Sequence, residues 1–394
     1  MTDSGHPGGS VGKVEKRIYT FAQEPDALTL ESGKALSPAT VAYETYGRLN
    51  EAGTNAVLVC HALSGDSHAA GYYSQSDRKP GWWDAYVGPG KALDTDKLFV
   101  ICSNVLGGCM GSTGPASEDP ATGRPYGLDF PVVTIGDMVE AQKRLVEHLG
   151  VSSLLAVVGG SIGGMQVLEW AVRFPDMVRA AIPLASTTKH SALAIAFNEV
   201  ARQAIMADPK WRSGDYCLAG EIPQHGLAVA RMIGHITYLS DEAMRRKFDR
   251  RLQDRCDISF TFDEADFQVE SYLRYQGLKF VERFDANSFL YITKAADYFN
   301  LENTWGRGSL VQAFSRCRCS FLVVSFTSDW LYPTYQSREM VKAMKKSGLD
   351  VSFCEVAADC GHDAFLVPNL RLANMLSSFM DRFLDSDGEE PHAL

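Results

Sequence analysis

The sequence predicts an α/β fold: a mostly parallel central sheet flanked by helices, interrupted by a helical insertion. Three observations predict it. Short apolar runs bounded by turn residues recur at residues 56–60, 98–102, 154–158 and 180–184, as buried strands do. Between the second and third runs, residues 137–149 place Met138, Ala141, Leu145 and Leu149 on one helical face, with Gly150 as the stop. Strand, helix, strand in alternation implies parallel pairing through crossover helices. The alternation then ceases near Thr187 and resumes at residues 320–326, so the sheet surrounds a helical segment in sequence.

Within that gap, residues 192–206 and 226–240 read as helices. After it come a strand at 351–356 and a closing helix at 369–384, striped by Leu372, Met375, Leu376, Phe379 and Phe383. The expected organisation is a disordered tail over residues 1–14, a core of 15–187 and 311–385, a helical lid over 188–310, and a frayed, acidic tail over 386–394. A chain of 394 residues exceeds the ~250–300 at which single cores stop growing, which suits one large domain with an insertion.

Composition narrows the partners. A net charge of −10 argues against nucleic acid or an anionic membrane, and the densest basic run, Arg245 to Lys247 with Arg250 and Arg251, is flanked by acids. Nine cysteines, an odd number, lie scattered without metal spacing, which points to free thiols in a reducing compartment and to no metal. Residues 1–13 are glycine- and serine-rich with no apolar stretch, so neither a signal peptide nor a membrane anchor is expected, and the protein is expected to be soluble and cytoplasmic.

The residues that carry chemistry centre on Ser161. The run 154–158 stops at glycines around this serine and then turns helical, and Gly159, Ser161 and Gly163 fit the GxSxG nucleophile elbow. Such a turn pushes the hydroxyl out beyond the sheet, above a helix N-terminus. A serine nucleophile needs a base and an acid that orients the base, in loops after later strands. Asp329 follows the strand ending at Phe326, and His362 follows the strand ending at Val356, in the order Ser, Asp, His. Asp359 is a weaker alternative acid because it shares the loop of His362. The amides of Leu63, in the loop after residues 56–60, and of Ile162, directly after the nucleophile, are candidates for an oxyanion hole. His61 and His68 flank the same loop without a metal-binding pattern. Gly107, Gly108, Gly111 and Gly114 form a second glycine-rich loop that lacks a phosphate-loop lysine and suits the entrance of a site.

These residues belong to longer words: HALSGDSH at 61–68, GWWD at 81–84, SNVLGG at 103–108, GSIGGMQ at 160–166, AIAFNEVA at 194–201, ARMIGHITY at 230–238, RFDANS at 283–288, SDWLYP at 328–333 and GHDAF at 361–365. Taken in order over residues 15–385, they resemble the homoserine O-acyltransferases of methionine biosynthesis, members of the α/β-hydrolase superfamily. The resemblance implies Ser161 as nucleophile, Asp329 as acid and His362 as base. It further implies Arg231 for the carboxylate and Asp363 for the ammonium of an amino-acid substrate. The implied reaction moves an acetyl group from acetyl-CoA, a co-substrate rather than a bound cofactor, to the hydroxyl of L-homoserine through an acyl-serine. Succinyl-using relatives often carry an arginine two positions after the acid; Leu331 stands there, which favours acetyl. Succinyl transfer, L-serine as acceptor, and plain ester hydrolysis are the alternatives. One departure is Ile162, where many members have methionine. The resemblance also implies a homodimer joined through the helical insertion.

Overall fold

The computed structural model describes residues 9–384. The first eight residues of the expected N-terminal tail and all of the C-terminal tail lie outside the described residues, as does residue 385. Order begins before residue 15: the Val14 amide donates to the Tyr72 carbonyl at 2.9 Å, and the Tyr72 amide to the Gly12 carbonyl at 3.0 Å.

The sheet opens with two strands absent from the sequence reading, β1 (Arg17–Phe21) and β2 (Ala39–Tyr46). It continues with β3 (Ala56–Cys60) and β4 (Phe99–Ser103), close to the apolar runs that predict them. Helix α1 (Ile135–His148) starts two residues earlier than its apolar period. The Thr134 side chain accepts from the Asp137 amide, and Asp137 accepts in return from the Thr134 amide. This reciprocal capping satisfies two otherwise orphaned amides. Strand β5 (Leu154–Gly160) is buried at all seven residues and runs into α2 (Ile162–Arg173), then β6 (Ala180–Leu184).

Seven α-helices separate β6 from the next sheet strand: α3 (Ala192–Met206), α4 (Gln224–Tyr238), α5 (Asp241–Lys247), α6 (Gln268–Val281), α7 (Ala286–Tyr298), α8 (Leu301–Gly306) and α9 (Leu310–Phe314). Helix α4 packs on both α3 and α6, whereas α8 packs on α2 and α9 on α10 (Thr334–Lys346). Strands β7 (Ser320–Phe326) and β8 (Val351–Val356) and helix α11 (Leu370–Leu384) complete the chain.

Strand order is β1-β2-β4-β3-β5-β6-β7-β8. Pairing of β1 with β2 and of β2 with β4 is antiparallel, and every later pairing is parallel. Side chains of β7 alternate between the two faces. Phe321 and Val323 join α1, α2 and α10 in one apolar layer, while Leu322 and Val324 meet Leu372, Leu376 and Phe379 of α11 in the other. This two-sided burial explains why the parallel strands read as unbroken apolar runs. Among the described residues no helix is long and apolar enough to cross a membrane.

Candidate active site

Ser161 occupies the one-residue turn between β5 and α2 with φ 59° and ψ −125°, a conformation that costs a non-glycine residue about 1–3 kcal/mol. The flanking glycines explain how the turn closes. A Cβ on Gly159 would stand 2.6 Å from the Cys60 carbonyl oxygen, and one on Gly163 would overlap the same oxygen. Backbone of β3 therefore passes directly against the elbow, and only glycine admits it. The Ser161 amide donates to the Leu184 carbonyl at 3.0 Å, so the strained turn is tied to β6 as well.

Parallel strands deliver their following loops to one edge, and the two partners arrive there. His362 Nε2 lies 2.9 Å from Ser161 Oγ, and its Nδ1 lies 2.8 Å from Asp329 Oδ2. The other oxygen of Asp329 accepts from the Leu331 and Tyr332 amides at 3.0 and 2.9 Å, which fixes the carboxylate toward the ring. Ser161, Asp329 and His362 are all buried. Burial alone would lower the His362 pKa. The charge and hydrogen bond of Asp329, with the charge of Asp363, outweigh it and hold the ring above the ordinary histidine value. Asp359, the weaker candidate acid, pairs with Arg246 of the helical segment instead.

Ser161 lies between two cavities. One is lined by Leu63, Ser64, Arg231, Tyr238, His362 and Asp363. Here the Arg231 guanidinium donates to Ser64 Oγ at 3.3 Å and lies 4.8 Å from the Phe280 ring centroid. Burial pushes the Asp363 carboxyl up, and the charges of His362 and Arg231 only partly offset it. Among the described residues neither Arg231 nor Asp363 has an ion-pair partner within 4 Å, so a guanidinium and a carboxyl group line this cavity without a salt bridge. The second cavity is lined by apolar groups, including Phe197, Ile233, Phe289 and Leu331, and by polar ones, including His190, Asn198, Thr237, Tyr238 and Tyr332. Leu63 lines both cavities and Ile162 the second. The Leu63 amide is not engaged by a backbone carbonyl, and the Ile162 amide, first in its helix, has no carbonyl one turn behind it.

His61 and His68 turn to separate tasks. Burial keeps His61 below its ordinary pKa, and its Nε2 accepts from the Val105 amide at 3.1 Å while Nδ1 meets the Ala62 carbonyl at 2.7 Å. This fixes the corner that carries Leu63. His68 Nδ1 instead lies 3.1 Å from the buried Glu44. Sequence reasoning missed Tyr238, which lines both cavities, and the polar chain of Tyr332, His190 and Asp297. Tyr332 stood three residues after the candidate acid, but no spacing links it to His190 or Asp297.

The α/β hydrolase fold family matches residues 55–368 of the chain. The homoserine O-acetyltransferase of Solidesulfovibrio magneticus is 72% identical over 388 residues, covering 98% of each chain. The chain belongs to the homoserine O-acetyltransferase family. Its fold is similar to the crystal structure of homoserine O-acetyltransferase from Bacillus anthracis, with a TM-score of 0.85 and 29% identity over 97% of this chain and 100% of that one. It is also similar to the crystal structure of esterase E22, with a TM-score of 0.84 and 31% identity over 93% of this chain and 100% of that one. Family membership fits the strand order, the elbow and the uninterrupted hydrogen-bond line from Asp329 to Ser161.

Proposed function

We propose that this chain transfers an acetyl group from acetyl-CoA to the hydroxyl of L-homoserine through an acetyl-Ser161 intermediate. The observation that carries this reading is a complete Ser161–His362–Asp329 line opening on a cavity that also holds Arg231 and Asp363. In the first half, His362 takes the Ser161 proton as Oγ attacks the thioester carbonyl. The Leu63 and Ile162 amides receive the developing oxyanion, each such donor being worth roughly 3 kcal/mol. The C–S bond breaks, and the thiolate leaves with the proton from His362. In the second half, homoserine binds with its carboxylate on Arg231, whose fork suits that group, and its ammonium at Asp363. His362 then takes the hydroxyl proton, the new C–O bond forms, and Ser161 Oγ recovers its proton as it departs.

Leu331 supports acetyl over succinyl, because it presents no charge to a second carboxylate in the cavity it lines. Acetyl-CoA is a co-substrate, and no resident cofactor or metal enters the mechanism. A cytoplasmic location and a homodimer complete the reading. For the dimer, Val229 and Ile236 of α4 and Tyr275 and Leu278 of α6 are exposed apolar residues on the helical segment, and sedimentation velocity tests whether they join two copies.

Intact mass measurement tests the mechanism directly. Mixing with acetyl-CoA is expected to add one acetyl group to the wild type and none to Ser161→Ala, and homoserine should remove it as O-acetylhomoserine. The likeness to esterase E22 favours ester hydrolysis as the second reading. Acyl-enzyme that decays as fast in water as with homoserine would establish that reading instead.

A further inference from the structure

A second buried chain of polar groups, separate from the Ser161–His362–Asp329 line, ends at the cavity beside Ser161. Asp297, on α7, receives three donors: His190 Nδ1 at 2.9 Å, Asn198 Nδ2 at 2.7 Å and Arg202 Nη1 at 2.7 Å. His190 Nε2 lies 2.6 Å from the Tyr332 hydroxyl. The side chains of His190, Asp297 and Arg202 are each no more than 6% exposed, and Tyr332 is 3% exposed. Tyr332 and Ser161 line the same cavity. Nothing in the triad mechanism uses this chain.

Its hydrogen-bond directions can be counted out. Burial works to raise the Asp297 pKa, but the His190, Asn198 and Arg202 hydrogen bonds outweigh it and hold the carboxyl below its usual range, so it is an acceptor only. His190 Nδ1 must then donate, which leaves Nε2 to face the Tyr332 hydroxyl. Burial, with the Asp329 charge behind it, drives the Tyr332 pKa upward, so the phenol keeps its proton and gives it to His190. The Tyr332 oxygen thereby keeps lone pairs free to accept, on a residue that lines the cavity with Ser161. An acceptor held by this chain beside the nucleophile, in a cavity whose walls include Phe197, Ile233 and Phe289, calls for a ligand N–H.

We propose that Tyr332 is a donor-binding residue that accepts a hydrogen bond from the amide N–H nearest the sulfur of the acyl thioester, with His190 and Asp297 as positioning residues that hold its oxygen as an acceptor. The proposal rests on the acyl-thioester reading above. In acetyl-CoA two methylenes separate the sulfur from that nitrogen, a span of about 4 Å. A thioester carbonyl poised ~3–3.5 Å from Ser161 Oγ thus brings the N–H to the neighbourhood of the nucleophile, where the Tyr332 oxygen stands. The apolar walls contributed by Phe197, Ile233 and Phe289 suit the methylenes on either side.

The test compares acylation of Ser161, read by intact mass in quenched-flow samples, with three donors. These are acetyl-CoA, S-acetyl-N-acetylcysteamine, and the ketone analogue of the latter in which a methylene replaces the amide NH. Wild type should prefer the amide to the ketone by about five- to tenfold, the worth of one neutral hydrogen bond. Tyr332→Phe should lose that factor on both amide donors, stay within about twofold of wild type on the ketone, and so erase the preference. His190→Asn frees the phenol to rotate and should erase it too, and the double variant should lose no more than either single, as members of one chain do. Equal losses on all three donors, or a preference that survives Tyr332→Phe, would overturn the proposal. The wild-type amide-to-ketone ratio decides the matter even if both variants fold poorly, since a ratio near one also overturns it. Failure of the wild type to be acylated by any donor would strike the acyl-thioester reading itself.

Discussion

Asp329 reaches Ser161 only through a ring, yet its removal should be felt in both rate and pH. A protonated His362 cannot take a proton, so acylation should rise with pH as the ring deprotonates, and Asp329 holds that transition above the ordinary histidine value. In Asp329→Asn the larger raising charge is gone and only that of Asp363 still opposes burial, so the ascending limb should move to lower pH. The plateau should fall by roughly three to four orders of magnitude, because the amide no longer selects the productive tautomer. A pH–rate profile of single-turnover acylation reads both effects. Arg231 and Asp363 separate differently. Arg231→Ala and Asp363→Asn should leave the yield of acetyl-enzyme intact and raise the KM for homoserine by about 10- to 100-fold, as loss of a charge-assisted hydrogen bond does. Residues such as Ser161, Asp329 and His362 were legible because each follows its own strand, and a parallel sheet sends all such loops to one edge. Tyr332, His190 and Asp297 come from a core loop and two parts of the helical segment, and only tertiary packing brings them together.

Secondary elements were legible where burial is two-sided or an apolar stripe is strict. Strands β3, β5 and β7 bury both faces, and α11 carries a clean stripe. The missed strand β2 hides a polar residue in its interior: Glu44 is fully buried and accepts from the Tyr46 and Tyr73 hydroxyls at 2.9 and 2.7 Å. Such a residue breaks the apolar run that signals a strand. The start of α1 was missed by two residues because apolar periodicity does not see capping, which here is polar and local. Thr134→Ala should therefore destabilise the protein by about 1 kcal/mol in a denaturant melt while leaving the acyl-enzyme yield unchanged. Gly163→Ala should do more damage. The new Cβ meets backbone of β3 rather than a flexible side chain, so a loss of about 1–3 kcal/mol is expected together with misplacement of the elbow. Heat denaturation, set beside acylation by acetyl-CoA, distinguishes the two outcomes.

At the scale of the whole molecule, a transferase must keep water from its acyl-enzyme until the acceptor arrives, and the helical segment stands over the site in a way that suits this. Its insertion between β6 and β7 was visible in the sequence as a pause in strand alternation, although its fastening to the core was not. The C-terminal end of α4 rests on the loop of His362, and a Cβ at Gly361 would overlap the Tyr238 carbonyl. Beside it the Ser240 hydroxyl donates to the Asp359 carbonyl, and Arg246 pairs with the Asp359 side chain. Trp330, one residue after the acid, donates from Nε1 to the Leu239 carbonyl at 3.0 Å and meets the Phe197 ring edge-on at 5.6 Å. It thus ties α3 and the end of α4 to the loop that holds Asp329. The exposed Arg246 pair contributes little, because surface ion pairs are worth about 0–1 kcal/mol, whereas the indole adds a large apolar area and a hydrogen bond. Trp330→Ala should accordingly loosen the cover without touching Ser161 or His362. Acetyl-enzyme should still form, but its hydrolysis in the absence of homoserine should quicken several-fold, lowering the fraction of acetyl groups that reach the acceptor. Arg246→Ala should leave that partition unchanged. Product ratios of acetate to O-acetylhomoserine at fixed homoserine measure it, and an unaltered ratio in Trp330→Ala would mean that water is excluded by the cavity walls alone.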